Sequence, residues 1–477
     1  MRSGATPLRP LLLFLAFLAS ACGSSGTESS APLDAAGAGM DAPGGGSSDG
    51  GSTTPASDAT DDHDATALDD ARAPDAGSCS RTIPDPYVAS RAACAFTKGA
   101  RTSDTLAVTA VVRASIPITH VVVITQENRS FDHFFGKLAA QGQPGAEGWP
   151  PGFDNPDLAD AAVAPYHLTS PCLSADPPHQ GADMSADWDH GKMDGFVTNA
   201  ARALGSGNDG HFVMGYYDES DLPFFYWLAS TYAIADRYFA PVLGGTWGNR
   251  DYLYCATSDG VTDTGQATIS APTIFDALDA AHVSWGVYSD GTPRQDCLGW
   301  TSSHPGVSSA TAFLLALQAG TLPAVSFVDP TDWQDEHPTN EIHGGETWIR
   351  EIYAAAVASS LWNQLAIVLT FDEAGGLADH VAPPAACPPS PDQASFDQLG
   401  VRVPTIVISP WARLHTVSHA VHDHTSVLRL IEAIFDLPAL TSRDANADAL
   451  LDMFDFGCPA RSNVAAPPSA GVIQTCP

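Results

Sequence analysis

Basic residues are scarce in this sequence. Its 477 residues include 21 Lys and Arg against 55 Asp and Glu, which gives a formal net charge of −34 at pH 7. A chain with this balance repels the phosphate backbone of nucleic acids through its own field. Nucleic-acid binding by a basic surface is therefore excluded.

The N-terminus lacks an apolar run long enough to cross a bilayer. Residues 11–19 are apolar and are followed by small residues and Cys22, whereas a membrane-spanning helix needs about 20 apolar residues. The pattern predicts a signal peptide over residues 1–21. Cys22 resembles the lipid-modified cysteine of bacterial lipoproteins, but Ala19 stands where such sequences usually have Leu. Lipid attachment to Cys22 and ordinary cleavage after Ala21 therefore both stay open.

The sequence also lacks a C-x-x-C pair and any Cys/His spacing typical of zinc sites. Zinc bound by thiols and catalysis by a thiol are therefore not expected. Apart from Cys22, eight cysteines remain, an even number that suits disulfides in an exported chain. Eight cysteines allow 105 pairings, and the sequence does not choose between them.

Large apolar residues are almost absent between residues 22 and 78. This segment consists mainly of Gly, Ser, Ala, Thr, Pro and Asp, so it cannot bury enough surface to offset the entropy lost on ordering. Its ten Asp and one Glu against one Arg contribute −10 of the net charge of −34. We predict a disordered, self-repelling linker, which would hold the following domain off a membrane if Cys22 carries lipid.

From residue 116 the chain alternates apolar runs with amphipathic segments, a pattern that indicates an α/β fold. The strand candidates are 120–125, 283–289, 324–328, 366–371 and 405–409, and the helix candidates are 273–281, 345–359 and 426–437. Such apolar runs suit strands covered on both faces, and the helices are long enough to connect parallel strands. We predict one large domain over residues 116–458, with an N-terminal extension (79–115) and a C-terminal tail (459–477).

Oxygen-bearing side chains follow two of the predicted strands. Glu127 and Asn128 come shortly after the first strand, and Asp372 and Glu373 directly follow strand 366–371. Ligands of open α/β sheets bind beyond the carboxyl ends of the strands, and clustered carboxylates need a cation or a shared proton. By position alone, a divalent-metal site is as good an interpretation as a helix cap at Asn128 and a solvated turn at Asp372.

Six motifs that carry catalytic residue types follow one another along the chain. They are ENRSFDHFFG (127–136), GKMDGF (191–196), GGTWGNR (244–250), DEHP (335–338), FDEAGG with DHVAPP (371–384) and DHTSVLRLIE (423–432). In these motifs and their order, the sequence resembles the phosphoesterase family from about residue 116 to 456. That family includes bacterial non-haemolytic phospholipases C, plant phospholipases C and AcpA-type acid phosphatases. The resemblance implies an alkaline-phosphatase-like, three-layer α/β/α sandwich with a mostly parallel central sheet.

The resemblance also implies a metal and a nucleophile. Four residues match the metal-ligand positions of the family: Glu127, Asn128, Asp372 and Glu373. Thr246, in the glycine-rich turn, matches the nucleophilic Ser or Thr. A hydroxyl is a poor nucleophile at neutral pH, so a divalent metal ion, whose identity the sequence does not give, would lower its pKa.

Further residues of the motifs match active-site positions. His337 in DEHP and His380 in DHVAPP match family histidines, and His179, shortly before GKMDGF, is assigned with them. The candidates for holding the substrate are Asn249, Arg250 and Lys192. A structural ion pair is an equally good interpretation of Arg250.

The predicted reaction is hydrolysis of a phosphoric ester in two displacements. Thr246 would attack phosphorus and form a phosphothreonine, while His337 or His380 protonates the departing alcohol. The first candidate is a phospholipase C that releases diacylglycerol from a phospholipid. An acid phosphatase acting on phosphomonoesters and an inactive surface binding protein are the alternatives. We expect the protein to be exported, either anchored at the bacterial envelope through lipid on Cys22, and so in contact with a membrane surface, or secreted.

Overall fold

A computed structural model of the chain describes residues 83–265, 269–290, 297–300, 303–458 and 464–476. The predicted signal peptide, the linker, Cys22 and Cys79 lie outside these residues. Within the described ranges, the helices are all too short or too polar to span a bilayer.

A single large sheet carries the strands on which the predicted site depends. The described strands are β1 (His120–Gln126), β2 (Asn155–Pro156), β3 (Ala162–Val163), β4 (Tyr166–His167), β5 (Gly215–Tyr216), β6 (Ala233–Ala235), β7 (Trp285–Tyr288), β8 (Val307–Ser308), β9 (Val325–Val328), β10 (Leu365–Phe371), β11 (Thr405–Ile408) and β12 (Thr416–Ser418). Eight of them form the sheet in the order β12-β6-β11-β10-β1-β9-β7-β8. Neighbours run parallel except at β11, which is antiparallel to β6 and β10.

The apolar runs of the sequence form the centre of this sheet. Every residue of β10 is buried, and β1 is buried after its first residue. Continuous burial along a strand means that both faces of the sheet are covered, which is the arrangement expected for parallel strands. The prediction of an α/β fold with a mostly parallel central sheet is therefore confirmed. The short strands β6, β8 and β12 were not predicted.

Helices surround the sheet, and some of them begin at a side-chain cap. The described α-helices are α1 (Val88–Ala92), α2 (Thr102–Thr105), α3 (Ala110–Arg113), α4 (Phe131–Phe135), α5 (Gly181–Trp188), α6 (Phe196–Leu204), α7 (Pro223–Thr231), α8 (Thr246–Cys255), α9 (Ile274–Ala280), α10 (Ala310–Ala319), α11 (Ile342–Ala358), α12 (His424–Phe435) and α13 (Ser442–Ala445). Short 3-10 helices lie at Leu138–Ala140, Asp189–Gly191, His211–Met214, Trp362–Gln364, Pro391–Gln393 and Leu451–Met453. The Thr273 and Asp423 side chains cap α9 and α12. The three predicted helices thus form as α9, α11 and α12.

Three disulfides in which both cysteines are described join different segments of the chain. They link Cys94 to Cys387, Cys172 to Cys476 and Cys255 to Cys297. The first attaches the N-terminal extension to the loop after β10, and the second attaches the loop before α5 to the C-terminal tail. The sequence predicted that these cysteines pair, and the fold selects the partners.

Candidate active site

Four buried side chains meet where β1 and β10 end. The two strands pair in register with Gln126 opposite Phe371, so the residues that follow each strand are neighbours. The backbone N–H of Asn128 donates to Asp372 Oδ1 at 3.2 Å. Together with Glu127 and Glu373, these residues are at most 3% exposed. The strand ends therefore bring the four predicted metal ligands together.

Arg250 lies inside this cluster. It is fully buried on α8, and its guanidinium donates to Asp329 at 2.6 Å, Asp372 at 3.1 Å and Glu127 at 3.3 Å. Burial opposes the positive charge, but Asp329 and Asp372 outweigh it and raise the pKa of Arg250 above its ordinary value. These contacts match the interpretation of Arg250 as a structural ion pair.

Asp329 was not singled out in the sequence, although a signal for it was present. It directly follows β9, and β9 pairs in parallel with β1. The same strand-end argument that selected Glu127 and Asp372 would have selected this residue.

Two buried oxygen atoms of the cluster lack hydrogen-bond partners among the described residues. They are Asn128 Oδ1 and Glu373 Oε1. Burial and the charge of Asp372 raise the pKa of Glu373 well above its ordinary value. Buried polar atoms are normally satisfied, and carboxylate and amide oxygens are typical ligands of divalent metals. The residues present therefore fit a divalent metal ion.

Two of the predicted histidines border the same cluster. His179 Nε2 lies 3.3 Å from Asn128 Nδ2 and 3.9 Å from Glu373 Oε1. The ring of His337 lies 5.7 Å from that of His179, measured between centroids. Asp176 joins these histidines, with one polar atom of each of the three within 4.8 Å of the others. Asp176 was not predicted, because its loop has no strand or helix pattern that would place it.

Thr246 is the first residue of α8 and is buried. Residues four apart lie on the same face of a helix, so Thr246 shares a face with Arg250, which reaches the strand ends. The residue before it, Gly245, packs against the loop of His179: a Cβ atom at Gly245 would lie 3.4 Å from the His179 carbonyl oxygen. Thr246 therefore begins its helix beside the cluster, where the free N–H groups of the first turn favour an anion.

The turn before Thr246 is held by packing and by one side chain. A Cβ atom at Gly244 would lie 2.6 Å from the backbone oxygen of Thr262, so the close approach requires glycine. Asn249 Nδ2 donates to the carbonyls of Gly244 and Gly245, and its Oδ1 accepts from a backbone N–H. Asn249, expected to bind substrate, thus has its side-chain atoms engaged in holding this turn.

Lys192 and His380 make their contacts with other groups. The Lys192 side chain is 64% exposed and pairs with Asp189 at 2.5 Å. His380 Nδ1 lies 2.5 Å from Asp132, which in turn accepts from Arg402. Burial lowers the pKa of His380, but the hydrogen bond and charge of Asp132 outweigh burial and raise it above its ordinary value. His380 therefore belongs to a different ion-pair network from the strand-end cluster.

A family model and several known proteins are similar to this chain. The model of the Phosphoesterase family matches residues 118–438. The chain is 30% identical over 416 residues to phospholipase C A of Mycobacterium tuberculosis, covering 72% of this chain and 78% of that protein. It is also 30% identical over 388 residues to non-specific phospholipase C3 of Arabidopsis thaliana, covering 70% and 73%. A solved protein of the alkaline phosphatase superfamily from Vibrio parahaemolyticus aligns with a TM-score of 0.30 and 11% identity, over 48% of this chain and 63% of that one.

Proposed function

Because the chain belongs to the phosphoesterase family and is a hydrolase of phosphoric esters, we propose that it is a phospholipase C. It would cleave a phospholipid into diacylglycerol and a phosphorylated head group. The observation that carries this proposal is the similarity to bacterial and plant phospholipases C over at least 70% of this chain. An acid phosphatase acting on phosphomonoesters is the alternative that the same family allows.

The proposed cofactor is a divalent metal ion held by Glu127, Asn128, Asp372 and Glu373. The buried oxygens of Asn128 and Glu373 that lack a partner among the described residues support this assignment. When bound, such an ion stabilises negative charge on the phosphoryl oxygens and lowers the pKa of a hydroxyl nucleophile. Arg250 would hold the ligand carboxylates in place through its ion pairs.

Thr246 is the proposed nucleophile. Its Oγ1 would form a bond to phosphorus while the bond from phosphorus to the diacylglycerol oxygen breaks, which gives a phosphothreonine. The proton of the Thr246 hydroxyl would replace the one that His337 gives to the diacylglycerol oxygen. The N–H groups of the first turn of α8 would then face the phosphoryl group. Asn249 and Gly244 act on this step indirectly, because they fix the turn that presents Thr246.

His337 is the proposed proton donor to the departing alcohol, and it is chosen over His380. His337 lies beside His179 at the strand-end cluster, whereas His380 is held by Asp132. A water molecule then attacks the phosphothreonine, releases the phosphorylated head group and returns the proton to Thr246. His179, which lies beside both Asn128 and Glu373, would position the cluster for this step.

Phosphorus NMR of the purified full chain tests the reaction. Phosphatidylcholine in micelles and an aryl phosphate are supplied together, with and without a chelator. Phosphocholine that appears, and no longer appears with chelator, is the expected result. Inorganic phosphate from the aryl ester alone would make the protein an acid phosphatase, and no product with any added divalent metal would favour an inactive binding protein.

Isotope labelling tests the nucleophile separately. Phosphate label should be trapped on wild-type protein and on Thr246→Ser, which keeps a hydroxyl at the same place, but not on Thr246→Ala. Turnover by Thr246→Ala should fall by at least about three orders of magnitude, since loss of a covalent nucleophile removes the main reaction path. Label that persists on Thr246→Ala would contradict the assignment.

The location of the protein stays a proposal as well. We propose that residues 1–21 direct export and that residues 22–78 connect the enzyme to a lipid on Cys22. The disulfides of the described domain support an oxidising compartment. Mass spectrometry of the N-terminal peptide would distinguish a lipid-modified Cys22 from simple cleavage after Ala21.

A further inference from the structure

His422 is a buried histidine with an open nitrogen, away from the residues assigned to catalysis. It lies between β12 and α12 and is 1% exposed. Its Nε2 is 3.2 Å from Ser418 Oγ, whereas its Nδ1 has no hydrogen-bond partner in the part of the chain that the structure describes. A buried imidazole nitrogen without a hydrogen-bond partner is costly, so its presence indicates that it binds a ligand.

Two carboxylates lie beside this histidine, one near each ring nitrogen. Asp448 Oδ1 lies 3.6 Å from His422 Nδ1, and Asp452 Oδ1 lies 3.6 Å from Nε2, the other ring nitrogen. A single ion would therefore bind only one of the two nitrogens, together with an oxygen of each carboxylate. These distances are too long for hydrogen bonds. Two ligands of a tetrahedral zinc ion, each about 2.1 Å from the metal, lie about 3.4 Å apart. One ligand atom from each of the three residues lies within 4.8 Å of the other two.

Four such groups of His and carboxylate side chains occur among the described residues, and the other three are accounted for. The group of His179 belongs to the candidate active site. In the group of His380, Arg402 donates to both carboxylates, at 2.9 and 3.0 Å. In the exposed group of His167, the imidazole pairs directly with Asp221 at 2.7 Å. The group of His422 differs from them because it combines a buried nitrogen that lacks a hydrogen-bond partner among the described residues with two carboxylates that lie beyond hydrogen-bond distance.

A cavity gives an ion access to this group. It has a volume of about 480 Å³, and both His422 and Asp448 line it. Arg91 of the N-terminal extension also lines it and pairs with Asp448 Oδ2 at 3.2 Å. The other carboxylate oxygen, Oδ1, is the one that faces His422. Arg91 thus pairs with the Asp448 oxygen that would not bind the ion.

We propose that His422, Asp448 and Asp452 bind a second divalent cation, distinct from the proposed catalytic one. One imidazole nitrogen with two carboxylates suits a transition metal such as zinc. The ion would hold the segment around Asp448 against the start of α12, and the Arg91–Asp448 ion pair would connect the N-terminal extension to that segment.

The proposed ion lies close to the candidate active site along the chain. Asp423 caps α12, and the next residue, His424, has its Nε2 2.8 Å from the carbonyl oxygen of Asp372. Fixing the start of α12 would therefore support the backbone of a proposed catalytic ligand. The proposed ion would position the start of α12, and the three residues that bind it take no part in the reaction itself.

Zinc binding to the full chain tests this proposal. Metal-free protein is titrated with Zn²⁺, and both the bound metal per chain and the melting temperature are measured. A background variant, Asp372→Asn with Glu373→Gln, removes two ligands of the proposed catalytic ion. This background should retain one equivalent of zinc, and zinc should raise its melting temperature.

Adding His422→Gln or Asp452→Asn to the background should remove the remaining equivalent and the thermal shift. His167→Gln, in the exposed group, is the matched control and should change neither. Asp452 is partly exposed, so its variant reports on binding even if His422→Gln fails to fold. Zinc retained by Asp452→Asn, or a background that binds none, would overturn the proposal. Because this readout needs no turnover, its failure is distinguishable from failure of the phospholipase assignment.

Discussion

Replacing Arg250 by Met should lower the free energy of unfolding by about 3–5 kcal/mol. The side chain is fully buried and donates to carboxylates of Asp329, Asp372 and Glu127 at 2.6, 3.1 and 3.3 Å. Removing one partner of a buried ion pair costs about 3–5 kcal/mol, because the remaining charge is left buried without compensation. Methionine fills a similar volume, so the loss reports mainly on charge and not on a cavity.

Urea unfolding of the full chain, followed by tryptophan fluorescence, measures this loss. Arg237→Met is the matched control: Arg237 pairs with Glu147 at 2.5 Å, but the two side chains are 37% and 36% exposed. An exposed ion pair contributes less than about 1 kcal/mol, so the control should barely change stability. Adding Asp329→Asn to Arg250→Met should recover part of the loss. Equal losses in Arg250→Met and the control would refute the reasoning.

Three further changes have defined outcomes. Gly244→Ala should lower kcat by about 10–100-fold, because its Cβ would force the turn before the nucleophile to move. Gly145→Ala is the control and should leave kcat unchanged, because its Cβ would make only ordinary van der Waals contacts. His380→Gln should lower the free energy of unfolding in urea more at pH 5.5 than at pH 9. Asp132 raises the folded-state pKa of His380, so the charged histidine stabilises the fold at low pH. This contribution disappears as the pH rises through that pKa. Serine at both positions of the Cys94–Cys387 disulfide should cost about 2–5 kcal/mol in urea unfolding, and no measurable loss would contradict a structural disulfide.

Much of the sheet could be predicted because its signals are local. The segments 120–125 and 366–371 are apolar without interruption, and they form the fully covered strands β1 and β10. The parallel pairing of neighbouring strands places the residues after each one at the same edge of the sheet. Glu127 and Asp372 could therefore be placed together from their positions in the sequence. The strands β6 and β12 were missed because three residues are too short to show a periodic pattern.

The partners of the site residues could not be predicted in the same way. Arg250 is an ion-pair residue because α8 directs it at three carboxylates from three strand ends, and the sequence left this role open. Asn249 bonds to the turn before it, and His380 bonds to Asp132, 248 residues away. Hydrogen-bond partners depend on where the backbone returns, which residue types do not encode.

The sequence alone indicated the α/β fold, the family resemblance and four residues of the strand-end cluster, while its export signal stays a prediction. These features depend on composition, hydrophobic runs and short motifs, which are local properties of a chain. The tertiary structure decided which cysteines pair, that Asp176 and Asp329 join the cluster, and that His422 faces Asp448. Each of these contacts joins segments whose proximity results from the packing of the whole domain. Loop closure and burial bring these segments together, and neither produces a recognisable pattern in the sequence around the contacting residues.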